Sequence, residues 1–273
     1  MTELPEPSTA PSTASSVALE VAGLSWGTNR KQILDDISFT IPRNQFVGII
    51  GPNGAGKSSL LRCLYRKTHP DQGSISYFGK AIGRYSRRAL ARQIAVVLQE
   101  APSQFDLSAG DVIAMGLTPH KSLLSFESME DREQIVNAAR QVDMEHQLQQ
   151  EFNALSGGEK QRVMIARAIV QKPSVLLMDE PTNHLDVHHQ IEVLELARAM
   201  NITVLVSIHD LNLAAAFCDR LILLNQGAIV ADGAANTVLT EHNLAAVFNV
   251  NAQLDRHPFA EHPRITYKFR GEA

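Results

Sequence analysis

Apolar and polar positions along the chain form patterns that separate two kinds of strand from helices. Residues 18–21 alternate apolar and polar side chains, and the alternation resumes over residues 33–41, which predicts an antiparallel sheet with one buried face. After Gln45 the chain is continuously apolar to residue 50, as in a central parallel strand buried on both faces. Later apolar runs predict buried strands at Ala95–Leu98, Val175–Met178, Thr203–Ser207 and Leu221–Leu224.

Helical patterns lie between these strands. A helix is predicted directly after the central strand, from about Gly56 to Arg66. Residues 102–172 contain no convincing strand, which indicates a helical subdomain inserted into an α/β core. Further helices are predicted at Ser128–Met144, Gly158–Val170, His188–Ala199 and Leu211–Phe217.

Composition limits the class of protein. The chain has 273 residues with a formal net charge of -4, so no sequence-wide charge favours a nucleic-acid partner, although local basic patches stay open. No apolar run approaches the roughly 20 residues that a membrane span needs. Residues 1–16 are rich in Pro, Ser, Thr and Ala and lack a signal peptide's features, which predicts a disordered tail on a cytosolic protein.

A phosphate-binding loop follows the central strand. Eight residues fit the pattern G-x-x-x-x-G-K-[ST], in which glycines let backbone N–H groups face phosphate oxygens at a helix N-terminus. Lys57 is expected to reach the β and γ phosphates, and the Ser58 hydroxyl to bind Mg²⁺. An ordinary glycine-rich turn is disfavoured by the flanking strand and helix. The predicted nucleotide-binding residues are Gly51, Pro52, Asn53, Gly54, Ala55, Gly56, Lys57, Ser58 and Ser59.

Two carboxylates end the apolar strand at 175–178. Ligands of open α/β sheets bind beyond the carboxyl ends of the strands, so Asp179 is expected to approach the Mg²⁺ held by Ser58. Glu180 points differently and is expected to orient the attacking water or accept its proton. A solvated acidic turn is the alternative, and the phosphate-binding loop weakens it.

A second glycine-containing motif narrows the class of nucleotide-binding protein. Residues 155–162 read LSGGEKQR, so Ser156, Gly157 and Gly158 open a helix and form a second anion site. A capping box between Ser156 and Glu159 is also predicted, but it does not explain two consecutive glycines. The segment resembles the signature motif of ABC ATPases.

That resemblance spans roughly residues 19–248 and implies an ABC ATPase domain at 17–250, with a C-terminal extension at 251–273. It implies ATP and Mg²⁺ as ligands and a fold with a P-loop NTPase core, a parallel sheet, an N-terminal antiparallel β subdomain and an inserted α-helical subdomain. In this family, the signature of one copy completes the ATP site of a second copy. The signature residues acting in this way are Ser156, Gly157, Gly158 and Glu159.

The remaining motifs of the family are also present, in the family's order along the chain. Gln99 resembles the glutamine that senses Mg²⁺ and water, Asp186 lies in a segment similar to the D-loop, and His209 resembles the switch histidine at the γ-phosphate. The family usually stacks adenine on an aromatic residue near position 28. The nearest aromatic residue here is Trp26. The alternatives are that Trp26 stacks on adenine instead, that base stacking is weak here, or that Trp26 is a core residue.

A metal site formed by histidines is a weaker alternative for part of the D-loop segment and the helix after it. His184, His188 and His189 allow a metal site, since two of them are four residues apart, but the D-loop interpretation already covers these positions. His257 and His262 each stand beside a proline and are interpreted as loop residues.

Two segments indicate a branch of the family. Residues 111–120 and 180–186 are similar to importers of ferric siderophores, haem and cobalamin. The resemblance implies separate transmembrane permease subunits, indirect work with a substrate-binding protein, and a peripheral location on the cytoplasmic face of the inner membrane. Residues 104–124 are expected to contact the permease. The alternatives are a soluble ABC ATPase on ribosomes or DNA, a regulatory module without hydrolysis, and a transporter for another cargo.

Overall fold

The computed structural model describes residues 16–29, 31–98, 106–122 and 128–269. Within these ranges no helix is long and apolar enough to cross a membrane. The strands are β1 (Val17–Thr28), β2 (Lys31–Pro42), β3 (Phe46–Ile50), β4 (Gln72–Tyr77), β5 (Lys80–Ala81), β6 (Ile94–Val97), β7 (Val175–Asp179), β8 (Thr203–Ser207), β9 (Arg220–Asn225), β10 (Ala228–Gly233), β11 (Ala252–Arg256) and β12 (Pro263–Tyr267).

The helices lie between the strands and on both sides of the main sheet. They are α1 (Lys57–Leu64), α2 (Arg87–Gln93), α3 (Ala109–Ala114), α4 (Met129–Gln141), α5 (Gly157–Gln171), α6 (Val187–Ala199), α7 (Leu211–Phe217), α8 (Ala235–Val238) and α9 (Glu241–Phe248). The first helix is shorter than the predicted range of 56–66. It ends early because Arg66 has a φ of 63°, in the left-handed region that an α-helix cannot include.

Strand pairing confirms the predicted α/β class. The main sheet has the order β10-β9-β3-β8-β7-β6, and all its strands are parallel except β10, which runs antiparallel to β9. The antiparallel sheet predicted at the start of the chain has the order β2-β1-β4-β5. A third sheet is the hairpin of β11 and β12.

The continuously apolar strands are explained by cores on both faces of the main sheet. In β3, Val47 and Ile49 pack with α1 and the antiparallel sheet, whereas Phe46 and Ile50 pack with the other helices. All five residues of β3 are buried. A half-buried strand would alternate polar residues, so the absence of alternation in β3 follows from having no solvent face.

Helices occupy the described parts of the segment between β6 and β7. Helices α3 and α4 each begin at a capping box, formed by Ser108 with Asp111 and by Ser128 with Asp131, and both pack on α5. Gly116 lets this layer pack closely, because a Cβ there would lie 2.2 Å from the carbonyl oxygen of Arg167. The helices thus form a layer beside the sheet edge at β6.

The hairpin of β11 and β12 is attached to the main core. Ile265 is 4% exposed and belongs to the same core cluster as the helices, and β12 lies against α7. Burying a side chain of this size contributes about 1.5–3 kcal/mol. The hairpin of β11 and β12 therefore packs as part of the fold.

Candidate functional site

The phosphate-binding loop joins β3 to α1, and its glycines fit where other residues would not. Gly51 has a φ of 150°, and a Cβ there would lie 2.2 Å from the carbonyl oxygen of Leu224. Gly56 has a φ of 108°, and its Cβ would lie 2.8 Å from a methyl group of Leu34. The loop can therefore keep this path only with glycine at both positions, which leaves the backbone open to a phosphate group.

Lys57, the first residue of α1, is held inside the loop. Its Nζ donates to the carbonyl oxygens of Gly51 at 2.8 Å and Pro52 at 3.2 Å, and the residue is only 4% exposed. Burial lowers the pKa of Lys57, while the negative charges of Glu180 and Asp179 raise it. The ammonium group is thus placed beside two carboxylates at the end of the sheet.

A buried serine connects the two sides of the site. Ser58 Oγ donates to Asp179 Oδ1 at 2.9 Å, and Ser207 Oγ donates to the same oxygen at 3.0 Å. The backbone N–H of Glu180 in turn donates to Ser207 Oγ at 2.8 Å. One hydroxyl, fully buried at the end of β8, thereby fixes both Asp179, the last residue of β7, and Glu180, which follows it.

The second carboxylate is held by two polar side chains. Glu180 Oε1 lies 2.6 Å from His209 Nε2, and Asn183 Nδ2 donates to Glu180 Oε2 at 3.2 Å. The Glu180 backbone has a φ of 50°, a conformation that few non-glycine residues adopt and that recurs at functional sites. The structure therefore brings Glu180 and His209 together, as expected for two residues of one site.

The signature segment begins α5 and lies next to the D-loop. Ser156 and Glu159 form the predicted capping box, and Gln147 donates to the Glu159 carboxylate at 3.0 Å. The side-chain and backbone bonds of Ser156 lower the pKa of Glu159 to about 2. The carboxylate of Glu159 is therefore ionised at neutral pH at the positive end of the helix.

Gly158 leaves room for a histidine of the next helix. A Cβ on Gly158 would lie 2.4 Å from His189 Cδ2, and His189 Nδ1 lies 2.8 Å from Asp186 Oδ1. Asp186 also caps α6 by accepting from the N–H of His189. The imidazole of His189 therefore connects the D-loop to the signature helix.

The roles of two other predicted site residues, Gln99 and Trp26, stay predictions. Gln99 lies outside the described residues, so its role stays a prediction. Trp26 is half-buried against the core beneath the antiparallel sheet, opposite Leu34, and its role in adenine stacking also stays a prediction. Across the described ranges, no group of three or more His, Cys, Asp or Glu residues could hold a metal ion.

Two site residues were not predicted from the sequence. Ser207 has no predicted role beyond its place in a strand, although a polar residue that ends a fully buried strand is a signal of a functional site. Asn183 was included only in the motif at 180–186, although it donates to the Glu180 carboxylate. Both act by positioning Glu180.

These features together define a P-loop ATPase. A glycine-rich loop, a lysine and a serine in the first turn of α1, and an aspartate at the end of a parallel strand that accepts from this serine are the parts that such proteins share. Residues 34–183 match the family model described as ABC transporter, and the chain belongs to the ABC transporter family as an ATP-binding, ATP-hydrolysing subunit.

Curated relatives span nearly the whole chain. The hemin import ATP-binding protein HmuV of Bordetella avium is 40% identical over 254 residues, covering 89% of this chain and 96% of the relative. The ferric enterobactin transport ATP-binding protein FepC of Escherichia coli is 34% identical, with coverages of 89% and 91%. The cobalamin import ATP-binding protein BtuD of Halobacterium salinarum is 37% identical, with coverages of 89% and 61%.

Solved structures show the same fold. A metal-chelate type ABC transporter in an inward-facing conformation superposes with a TM-score of 0.81 at 28% identity, covering 93% of this chain and 98% of that one. The cbiO1 protein of Clostridium perfringens, part of the ABC transporter complex cbiONQ, gives a TM-score of 0.73 at 28% identity, with coverages of 85% and 94%.

Proposed function

We propose that this chain is the ATP-hydrolysing subunit of an ABC importer that takes up an iron chelate, either a ferric siderophore or haem, or cobalamin. The observation that carries the ATPase part is the 2.6 Å contact of Glu180 with His209, beside the Ser58–Asp179 pair. The cargo class follows from relatives named for hemin, ferric enterobactin and cobalamin.

The residues at the ends of β3 and β7 fit ATP with Mg²⁺. Ser58 and Asp179 present a hydroxyl and a carboxylate oxygen close together, which is the donor chemistry that Mg²⁺ prefers. Magnesium, when bound, neutralises charge on the β and γ phosphates. Lys57 and the N–H groups of the glycine-rich loop are the groups that would hold those phosphates. Gln99 and the adenine contact of Trp26 complete the proposed set.

Glu180 and His209 carry the chemistry in this proposal. Glu180 orients the attacking water and accepts its proton, and Asn183 and the Ser207 hydroxyl hold the residue in place. His209 is half-exposed and contacts the same carboxylate, and it is the residue that would contact the γ-phosphate. A base held from three sides loses little orientational freedom during the reaction, and this favours catalysis.

A second copy of the chain supplies the missing half of each site. Ser156 and Gly157 are exposed at the N-terminus of α5, where the helix dipole and free N–H groups favour an anion. We propose that this end closes on ATP bound to the partner copy, with Asp186 contributing to the contact between copies. ATP then favours the closed dimer because each nucleotide contacts both copies only in that state.

Residues 104–124 are the proposed contact with the permease, and the described part of this segment is 106–122. Arg88 and Arg92 of α2 both donate to the carbonyl oxygen of Pro119 at 2.8 Å, which fixes the end of the segment next to β6. Met115 in this segment is 41% exposed. Met115→Asp should uncouple hydrolysis from transport at an unchanged intrinsic ATPase rate, and normal coupling in reconstituted vesicles would contradict this contact.

The test of the proposed function combines a variant with reconstitution. Glu180→Gln should bind ATP, form a stable dimer on size-exclusion chromatography and hydrolyse almost none, whereas Glu195→Gln, which removes an exposed acid on α6, should behave like the wild type. Hydrolysis by Glu180→Gln at the normal rate would contradict the assigned role.

The cargo is tested with the permease and binding protein that co-purify with the chain at the membrane. Ferric siderophore, haem and cobalamin are offered in turn, and one of them should stimulate the ATPase rate. If no membrane protein co-purifies and the rate stays flat, the importer proposal fails and a soluble ABC ATPase replaces it.

A further inference from the structure

The segment that carries His209 continues directly into α7. Asp210 caps this helix by accepting from the N–H of Leu213 at 2.9 Å, and the helix runs from Leu211 to Phe217. The position of the His209 backbone is therefore set largely by where α7 begins. Residues that hold the first turn of α7 thus also hold His209.

Asn212, in that first turn, is bonded to the C-terminal hairpin. Its Oδ1 accepts from the backbone N–H of Ile265 at 2.8 Å, and its Nδ2 donates to the carbonyl oxygen of Ile265 at 3.2 Å. A carboxamide offers a donor and an acceptor in the same plane as a peptide group, so Asn212 pairs with β12 as a neighbouring strand would. Both backbone groups of Ile265 face away from β11, which makes this the open edge of the hairpin.

Two further contacts keep β12 against the same turn. The Ile265 side chain is buried in the main core with α7 residues such as Leu211 and Ala214. Two residues on, burial raises the pKa of Tyr267, and the negative charge of Asp210 adds to this rise. Strand β12 thus lies along residues 210–212, which immediately follow His209 in the sequence.

We propose that the hairpin of residues 252–267 braces the switch histidine, and that Asn212 is the positioning residue that connects the two. The proposal rests on the proposed function, because it assumes that His209 acts in ATP hydrolysis. The brace fixes the origin of α7, which keeps His209 Nε2 against the Glu180 carboxylate. ATP binding through the phosphate-binding loop does not depend on it.

The primary test separates kcat from KM. Asn212→Ala should lower kcat roughly tenfold. A displacement of about 1 Å at reacting groups can lower the rate about a hundredfold, and a shift of His209 through α7 should be smaller than that. KM for ATP should stay within about twofold of the wild type, since Lys57 and the loop are untouched. Asn243→Ala is the matched control, because it also loses a half-buried amide bond to a backbone carbonyl, that of Val238, and this bond does not involve the segment that carries His209. An unchanged kcat, or equal losses in both variants, would overturn the proposal.

A double variant tests whether Asn212 acts through His209. In a His209→Ala background, Asn212→Ala should lower the single-turnover rate no further, since the residue it positions is gone. A further drop of the same size would mean that the brace acts elsewhere, and would also overturn the proposal. If Asn212→Ala does not fold, Asn212→Asp replaces it, because it keeps the acceptor for the Ile265 N–H. It should likewise lower kcat and leave KM for ATP unchanged, and an unchanged kcat would overturn the proposal.

The two proposals fail in different ways. A wild-type rate in His209→Ala would contradict the proposed function itself, whatever Asn212 does. A severe loss in His209→Ala with a wild-type rate in Asn212→Ala would leave the function intact and reject only the brace.

Discussion

Removing the Ser207 hydroxyl tests how the sheet positions the reacting carboxylates. In Ser207→Ala, Asp179 Oδ1 loses one of its two hydroxyl donors, and the N–H of Glu180 loses its acceptor. A hydrogen bond to a charged group contributes about 1.5–3 kcal/mol, and a buried donor left without an acceptor costs about 1–3 kcal/mol. Because both bonds share one oxygen the two effects overlap, and we expect a destabilisation of about 2–4 kcal/mol.

The same change should slow hydrolysis more than it weakens binding. Glu180 would lose the anchor of its backbone while keeping its own carboxylate, so we expect kcat to fall about 10- to 100-fold. KM for ATP should change little, because the loop from Gly51 to Ser58 is not altered. Urea unfolding gives the stability change, and steady-state ATP hydrolysis gives kcat and KM.

Thr203→Val is the matched control for this prediction. Thr203 lies at the other end of β8, is 1% exposed, and its Oγ1 accepts from the N–H of Asn44 at 3.0 Å. It should be destabilised to a similar degree, with kcat unchanged in the folded protein. If Ser207→Ala also kept the wild-type kcat, its hydroxyl would be a stability feature only and the positioning role would be refuted.

Further predictions concern the signature helix. Gly158→Ala should cost about 1–3 kcal/mol through its clash with His189. Adding His189→Ala should restore part of that stability in thermal unfolding, whereas a double variant no more stable than Gly158→Ala would argue against the clash. Since folding lowers the pKa of Glu159 from 4.5 to about 2, the stability that its ionised carboxylate contributes is fully present above pH 4.5 and is lost as the pH falls through about 2. Glu159→Gln should remove that part of the acid dependence of unfolding. If the variant's stability changed with pH as the wild type's does, Glu159 would not be the group responsible.

Much of the fold could be predicted because the main sheet is buried on both faces. Continuous apolar runs marked β3, β7 and β8, and the position of a glycine-rich loop after the first of these identified the phosphate site. The hairpin of β11 and β12 could not be predicted, since its residues are mostly polar. It is attached to the rest of the fold by the buried Ile265 side chain and by Asn212, which lies 53 residues away from Ile265 in the chain.

The site residues could be predicted one by one, but their connections could not. Asp179 and Ser207 are 28 residues apart, and they meet because β7 and β8 are neighbours in the sheet. No local pattern reveals strand order, so the hydroxyl that fixes Glu180 was visible only as a polar residue in an apolar strand. Motif spacing thus identified the chemistry, and sheet topology determined its geometry.

The position of β3 in the sheet also affects how the protein is made. This strand is complete at residue 50, yet its hydrogen-bonded neighbours are β8, which begins at residue 203, and β9, which begins at residue 220. During translation this apolar strand, which leads into the phosphate loop, stays unpaired until β8 and β9 have left the ribosome. An exposed edge of this kind can pair wrongly with other chains. A nascent chain that stalls before residue 203 cannot form the ATP pocket, so in this fold the nucleotide site first exists once β8 and β9 have been made.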